Sequence, residues 1–217
     1  MRQNSRMEPR PAATVVVARP GAAGPEVLLL RRAAQSRFAP GYVVFPGGVV
    51  DPGDRDRAAA WFGDPGDAVR ACAVRELAEE TGLVLLGSGL HPLAPGETAE
   101  ALIEASPPPR DALHEMGRWR APDVLAVRFD AWFYSTAAAA GTTAAPDMVE
   151  VDLAWWERPA EALERHPLWT ALLWPTYRTL EALAECATVA DVLTLRVPQE
   201  APPPSLLATY TSPEWRA

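Results

Sequence analysis

The sequence predicts an α/β (α+β) fold in which helices cover a mixed β-sheet. Short apolar runs alternate with helical patterns, but without the strict strand–helix–strand rhythm of a parallel sheet. The 217 residues are enough for one large domain. Hydrophobic residues make up 48% of the chain and charged residues 22%, proportions that are typical of globular proteins.

Apolar runs bounded by turn-forming residues predict the strands. Val15–Ala18 and Val27–Leu30 are separated by a turn rich in proline and glycine, and Val43–Phe45 stops at a Pro-Gly-Gly turn. Further strands are predicted at 84–86, 124–134 and 150–156, and helices at 159–165, 172–186 and 189–195.

The sequence predicts a single domain over residues 12–197, with an inserted loop inside it and less ordered segments at both ends. Residues 1–11 are interpreted as a disordered lead-in, and about 49–66 as an inserted loop with about one helical turn. Residues 94–117 are interpreted as a short helical piece followed by a proline-rich stretch over one sheet edge. The proline-rich residues 198–217 are expected to be a loosely attached tail.

Composition excludes several classes of function. All 20 basic residues are arginine, which excludes lysine nucleophiles and phosphate-loop lysines. The net charge of −8 argues against a nucleic-acid partner, and two cysteines cannot form a disulfide framework. The apolar run near the N-terminus is too short for a membrane span or a secretory segment. We therefore expect a cytoplasmic protein with no membrane partner.

The clearest helix is predicted over residues 67–82, and it carries a cluster of carboxylates. At 100° per residue, Glu76, Glu79 and Glu80 fall within about 100° of one another on the helix surface. Arg75 lies one turn before Glu79 and can pair with it. Such oxygen clusters suit Mg²⁺ or Mn²⁺, which would offset the repulsion between the carboxylates. A solvated acidic face is the alternative interpretation.

The stretch Arg75–Leu83, with Phe45–Gly48 upstream, resembles the Nudix box GX5EX7REUXEEXGU, in which U is apolar. The second half of that pattern matches at every specified position. The resemblance implies a Nudix-type α/β/α sandwich and hydrolysis of a nucleoside diphosphate linked to another group. Gly48 and Arg75 are 27 positions apart, so the chain has 13 residues more than the pattern. Counting back from the arginine assigns Asp67 to the first glutamate of the box.

The resemblance also implies the roles of individual residues. The ligands that it implies for Mg²⁺ or Mn²⁺ are Glu76, Glu79, Glu80 and the backbone carbonyl of Gly47. Arg75 would orient these carboxylates. The catalytic base stays open between Glu79 and Glu150, a carboxylate that immediately precedes a predicted strand.

A second motif indicates the substrate. Residues 28–48 resemble LLTXR(S/A)X3RX3GX3FPGG, the signature of the Nudix branch that hydrolyses coenzyme A and acyl-CoA, with Leu30 in place of threonine. The implied products are 3′,5′-ADP and (acyl-)4′-phosphopantetheine. Arg32 and Arg37 could bind the phosphate groups of coenzyme A in bidentate fashion, and Gly48 would lie against the substrate. Surface arginines that serve only solubility are the alternative.

Two other functions stay open. A Nudix hydrolase of ADP-ribose, NADH or a nucleotide sugar would keep the same glutamates but would not need to recognise a 3′-phosphate. A non-catalytic Nudix module that senses a ligand would tolerate the loss of the glutamates. Homodimers are common in the family, so a second copy of the chain is a candidate partner, although no interface is legible.

Overall fold

The computed structural model describes residues 8–36, 38–125, 128–168 and 171–211. Within these ranges a mixed sheet has seven strands: β1 (Arg10–Gly21), β2 (Gly24–Arg32), β3 (Val43–Val44), β4 (Gly47–Val49), β7 (His114–Arg120), β8 (Phe129–Ala137) and β9 (Val151–Glu157). Their order is β3-β2-β1-β8-β7, with β4 paired to β1 and β9 paired to β2. A separate hairpin joins β5 (Leu83–Leu86) and β6 (Gly89–Pro92).

Strand β1 is the centre of the sheet because both of its faces are apolar. Val15 and Val17 face one hydrophobic core, and Val16 and Ala18 face the other. The strand runs parallel to β8 along nearly its whole length and antiparallel to β2 and β4. Its first half therefore lies between β4 and β8, which positions the candidate site described below.

Helices cover both faces of this sheet. They are α1 (Asp54–Phe62), α2 (Ala68–Thr81), α3 (Ala99–Ala105), α4 (Pro159–Arg165), α5 (Trp174–Ala184), α6 (Val189–Thr194) and α7 (Pro204–Thr211). Helices α1 and α2 pack into the first core, and α4, α5 and α6 into the second. The predicted α/β/α sandwich with a mixed sheet is thus confirmed. No helix in the described ranges is long and apolar enough to cross a membrane.

Several sequence-based boundaries differ from the structure. Strand β1 already begins at Arg10, inside the predicted lead-in. The predicted loop of residues 49–66 contains strand β4 and a full nine-residue helix, α1, rather than a single turn. The segment 94–117 includes the first residues of β7, an edge strand that the sequence interpretation missed.

The predicted loose tail is instead held against the domain as far as the structure describes it. The Gln199 side chain accepts a hydrogen bond from the Arg120 amide at 3.1 Å and donates one to the Arg120 carbonyl at 2.9 Å. The Trp174 indole donates to the carbonyl of Glu200 at 2.9 Å. Leu206, in α7, is fully buried. Side chains thus supply the hydrogen bonds that prolines cannot make.

Candidate active site

Helix α2 presents its carboxylates as the sequence predicts. Ala71, Val74 and Leu77 are fully buried in the first core, so this face fixes the rotation of the helix. The helix ends at Gly82, whose left-handed backbone (φ 64°) donates a hydrogen bond to the carbonyl of Ala78 at 2.9 Å. The glutamates consequently lie along the side of the helix that meets β4.

Glu80 is the most deeply buried of these carboxylates, with 2% of its surface exposed. Its Oε2 accepts a hydrogen bond from the Gly47 amide at 2.8 Å. Its Oε1 is buried and has no hydrogen-bond partner among the described residues, and the nearest cation, Arg32 Nη1, is 3.9 Å away. Burial raises the pKa of Glu80 to about 8, although the hydrogen bond from Gly47 acts in the opposite direction.

Glu76 lies directly against the backbone of β4. A Cβ on Gly48 would overlap the carboxylate of Glu76, so only glycine allows this approach. Burial raises the pKa of Glu76, Arg75 opposes the rise, and the charges of Glu79 and Glu150 add to it. Glu76 therefore lies in a field of like charges that a bound cation would relieve.

Arg75 is the centre of an ion-pair network. Its Nη1 contacts Glu76 Oε1 at 2.9 Å and Glu79 Oε2 at 2.8 Å. The other edge of the guanidinium binds Asp54 in bidentate fashion, with Nε–Oδ1 at 2.9 Å and Nη2–Oδ2 at 3.0 Å. Nη2 also donates to the carbonyl of Val49 at 3.2 Å. Arg75 thus forms ion pairs with two of the glutamates and is itself held by β4 and α1.

The assignment of Asp67 to the first glutamate of the box is wrong. Asp67 pairs with Arg110 at 2.6 Å. Asp54 is six positions after Gly48, the spacing that the pattern GX5E requires, and its fully buried carboxylate binds Arg75. The 13 additional residues therefore follow this carboxylate. Counting forward from Gly48 rather than back from Arg75 would have identified Asp54.

The pairing of β2 with β9 brings Arg32 and Glu150 to the same site. Arg32 is opposite Val151, so the preceding residue, Glu150, lies beside the Arg32 side chain, with Nη2–Oε2 at 3.9 Å. The Nε of Arg32 donates to the carbonyl of Phe38 at 2.8 Å. Glu150 is largely exposed, with 64% of its side chain accessible. Arg37 lies outside the described residues.

These groups border a cavity of about 570 Å³ that continues well beyond them. Its acidic end contains Asp51, Glu76, Glu79 and Glu150 together with Arg32 and Arg75. Its other end, which we call the apolar end, includes Phe129, Phe133, Trp119, Leu173 and Trp174, while Arg120, Gln199 and Glu200 also line the cavity. Sequence reasoning did not assign Phe129 and Phe133 to the site, because alternation along a strand does not distinguish a core residue from one that lines a cavity.

The donor set fits a hard divalent cation. Carboxylate oxygens are the ligands that Mg²⁺ and Mn²⁺ prefer, and one of them, Glu80 Oε1, is buried without a hydrogen-bond partner. In the described part of the chain, no three His, Cys, Asp or Glu side chains already converge on one point. Arg75 holds both Glu76 and Glu79, so binding would require these two carboxylates to turn toward Glu80.

The sandwich, and glutamates on a helix beside a Gly-Gly strand, define a hydrolase of the Nudix type, and a solved structure supports this class. The crystal structure of a NUDIX hydrolase from Alicyclobacillus acidocaldarius is 32% identical to this chain and superposes with a TM-score of 0.75. The match covers 89% of this chain and 99% of that one. The chain therefore belongs to the Nudix hydrolase family.

Other comparisons are more distant. The human acyl-coenzyme A diphosphatase NUDT19 is 27% identical over 80% of this chain, which spans 64% of the length of that protein. Its chicken counterpart is 31% identical over 44% of the chain and 34% of its own length. The NUDIX domain of Shewanella oneidensis NrtR, solved with ADP ribose, shares the fold at 14% identity and a TM-score of 0.52. No family model matches the sequence.

Proposed function

We propose that the protein is a divalent-cation-dependent hydrolase that cleaves the diphosphate of coenzyme A or acyl-CoA. The products would be 3′,5′-ADP and (acyl-)4′-phosphopantetheine. The buried Glu80, whose Oε1 has no hydrogen-bond partner among the described residues, is the observation that carries the hydrolase proposal. The coenzyme A motif of residues 28–48 and the similarity to acyl-coenzyme A diphosphatases support the choice of substrate.

The proposed cation site consists of Glu76, Glu79 and Glu80 with the backbone carbonyl of Gly47. Bound Mg²⁺ or Mn²⁺ would neutralise phosphate oxygens and lower the pKa of a water molecule. The Gly47 amide holds Glu80 in place at 2.8 Å, so one carboxylate is fixed before any ligand arrives. Gly48 lets the substrate and Glu76 approach the backbone of β4 closely.

Arg75 and Arg32 have different tasks in this proposal. Arg75 restrains Glu76 and Glu79 through its ion pairs, and it is a positioning residue because its guanidinium is occupied by carboxylates. Arg32 lines the cavity without a hydrogen-bonded carboxylate among the described residues, since both of its acidic neighbours are 3.9 Å away. Its planar fork suits a phosphate group of the substrate.

The hydrolytic step requires a base. Water attacks one phosphorus of the diphosphate, the bridging P–O bond breaks, and the base accepts the proton of the water. We assign this role to Glu79, whose side chain is 57% exposed and lines the acidic end of the cavity. Glu150 is the second candidate, since it lies at the same end and its charge acts on both Glu76 and Glu80.

The deciding experiment is a substrate panel with Mg²⁺ and with Mn²⁺, in which the products are identified by mass. We expect cleavage of coenzyme A and acyl-CoA to 3′,5′-ADP and the corresponding phosphopantetheine. Cleavage of ADP-ribose and dephospho-CoA with coenzyme A untouched would contradict the substrate. Turnover unchanged by Glu80→Gln would contradict the catalytic site and favour a module that only binds ligands.

The cytoplasmic location and the homodimer remain proposals of the same kind. Cys72 and Cys186 are both free thiols, which agrees with a reducing compartment. Cell fractionation and the molar mass in solution would test the two statements.

A further inference from the structure

A row of residues runs across the sheet from the glutamates to the apolar end of the cavity. Val49 on β4 is opposite Ala12 on β1, Ala12 is opposite Ala131 on β8, and Ala131 is opposite Trp119 on β7. All four residues line the cavity. Neighbouring strands are about 4.8 Å apart, so Trp119 lies about 14 Å from β4, against which the carboxylates pack.

The row forms a trough because its middle residues are small. Ala131 lies between Phe129 and Phe133 on the same face of β8, since side chains alternate along a strand. Both phenylalanines line the cavity, and Phe133 is 95% buried. The two rings therefore border a gap whose floor is Ala12 and Ala131 and whose far end is Trp119.

The far end of this trough contains an unusual polar group. Trp119 is 5% exposed and its ring packs edge-to-face on Phe133 with centroids 6.5 Å apart. Its indole N–H is buried and has no hydrogen-bond partner among the residues that the structure describes. Buried N–H groups without an acceptor are rare in native proteins, because each lost hydrogen bond costs free energy. An acceptor supplied by a ligand would remove this cost.

We infer that the trough binds the pantetheine arm of an acyl-CoA, with a carbonyl of the arm accepting a hydrogen bond from Trp119 and the acyl chain among the aromatic residues. This inference rests on the proposed function. Trp119 and Ala131 then determine specificity for the pantetheine arm, which after cleavage belongs to the phosphopantetheine product.

The length of the trough selects the arm over the nucleotide. An extended amide chain advances about 3.5 Å for every three main-chain bonds, so the second amide carbonyl and the thioester carbonyl lie about 10 and 16 Å from the diphosphate. These distances bracket the span of about 14 Å between β4 and Trp119. An adenine base also needs several polar partners along its edge, whereas the residues that form the trough (Val49, Ala12, Ala131, Phe129, Phe133 and Trp119) are apolar apart from the indole N–H; Arg120 and Gln199 belong to the lining of the wider cavity.

The first test is a substitution that fills the trough. Ala131→Phe is compared with Ala137→Phe, a change of the same size at an exposed position on the same strand. Binding of dodecanoyl-CoA and of 3′,5′-ADP is measured by calorimetry in EDTA, so that no cleavage occurs. We expect Ala131→Phe to weaken dodecanoyl-CoA at least tenfold more than 3′,5′-ADP, and Ala137→Phe to change neither. Equal weakening of both ligands would put the nucleotide in the trough and overturn the inference.

The second test removes only the indole N–H. Trp119→Phe keeps an aromatic ring, and we expect the affinity for dodecanoyl-CoA to fall about three- to tenfold, the effect of one hydrogen bond. Trp156→Phe is the matched control, because the Trp156 N–H is also buried without a described partner but lies outside the cavity lining. Melting temperatures of the variants verify folding. An unchanged affinity in Trp119→Phe would overturn the hydrogen bond.

These outcomes separate the inference from the proposed function. If the wild-type protein cleaves coenzyme A but Ala131→Phe binds dodecanoyl-CoA normally, the trough is wrong and the function stands. If the wild-type protein binds dodecanoyl-CoA through the trough but cleaves no coenzyme A compound with either metal, the function is wrong and the trough stands.

Discussion

Asp54 and Arg75 form a bidentate ion pair that joins the first residue of α1 to the carboxylate helix α2, with contacts of 2.9 and 3.0 Å. The Asp54 side chain is completely buried and the Arg75 side chain is 10% exposed. Arg57 is also 3.3 Å from Asp54, so this single carboxylate holds two cations. The position of the glutamates therefore depends on a residue that belongs to neither α2 nor β4.

Replacing Asp54 with Asn should destabilise the protein strongly. Removing one member of a buried ion pair leaves an uncompensated charge and costs about 3–5 kcal/mol. We also expect turnover to fall at least tenfold, because Arg75 would no longer hold Glu76 and Glu79 in a fixed orientation. Urea denaturation and steady-state kinetics measure the two effects.

Asp67→Asn is the matched control for that substitution. Asp67 pairs with Arg110, whose side chain is 57% exposed, so water can reach this pair, and we expect its loss to cost less than the loss of the fully buried Asp54 carboxylate. A larger loss of stability and turnover in Asp67→Asn than in Asp54→Asn would restore Asp67 as the supporting carboxylate of the box.

The buried Glu80 predicts a dependence of stability on pH in metal-free protein. Its folded pKa of about 8 is above the ordinary 4.5, so the folded state binds the proton more tightly than the unfolded state. This contribution to the free energy of unfolding is complete below about pH 4.5 and is lost as the pH rises through 8. We therefore expect Glu80→Gln to become more stable relative to the wild type as the pH is raised from 5 to 8.5, with both proteins measured in EDTA.

Added Mg²⁺ should offset the loss of stability that the wild type shows at high pH. A cation competes with the proton for the Glu80 carboxylate, so Mg²⁺ should raise the melting temperature more at pH 8.5 than at pH 6. Glu80→Gln should lose most of this increase. A wild-type stability curve that coincides with that of Glu80→Gln at all pH values in EDTA would contradict the burial of an ionisable group here.

Separate substitutions of Glu79 and Glu150 identify the base. Since a general base contributes about 10²- to 10⁴-fold, the glutamine variant of the true base should lose at least a hundredfold in kcat. We expect this loss in Glu79→Gln and less than a tenfold loss in Glu150→Gln. The reverse ranking would transfer the role to Glu150.

Two adjacent arginines allow a close test of phosphate binding. Arg32→Lys keeps a positive charge but removes the planar fork, and we expect KM to rise about tenfold, the loss of about 1.4 kcal/mol of binding. Arg31→Lys is the control, because Arg31 lies outside the cavity lining and pairs with Asp152 at 2.7 Å. Equal KM values in the two variants would indicate that Arg32 does not contact the substrate.

The carboxylate helix could be predicted from the sequence because its information is local. Its boundaries, its buried face and the spacing of Glu76 and Glu80 follow from a period of 3.6 residues and a terminal glycine. The pairing of Arg75 with Glu79 follows from the same geometry. The burial of Glu80 could not be predicted, because it depends on how closely the Gly47–Gly48 strand approaches the helix.

Strand β7 escaped prediction because a bulge breaks its alternation. The register against β8 shifts between Glu115 and Gly117, so the buried residues Met116 and Trp119 are three positions apart instead of two. The partners of Asp54 and of Gln199 were equally hidden, since each is set by tertiary packing between distant segments.

Asp54 is the first residue of α1 and is bound to Arg75. The 13 additional residues of the box follow Asp54 in the chain, so they do not separate it from the Gly47–Gly48 strand. Segments of different length can therefore be inserted after α1, at residues 63–66, while Arg75 keeps its ion pair with Asp54. We expect the chain to accept a reporter peptide at this position. We also expect relatives with fewer residues between the first acidic residue of the box and the arginine to keep the same ion pair.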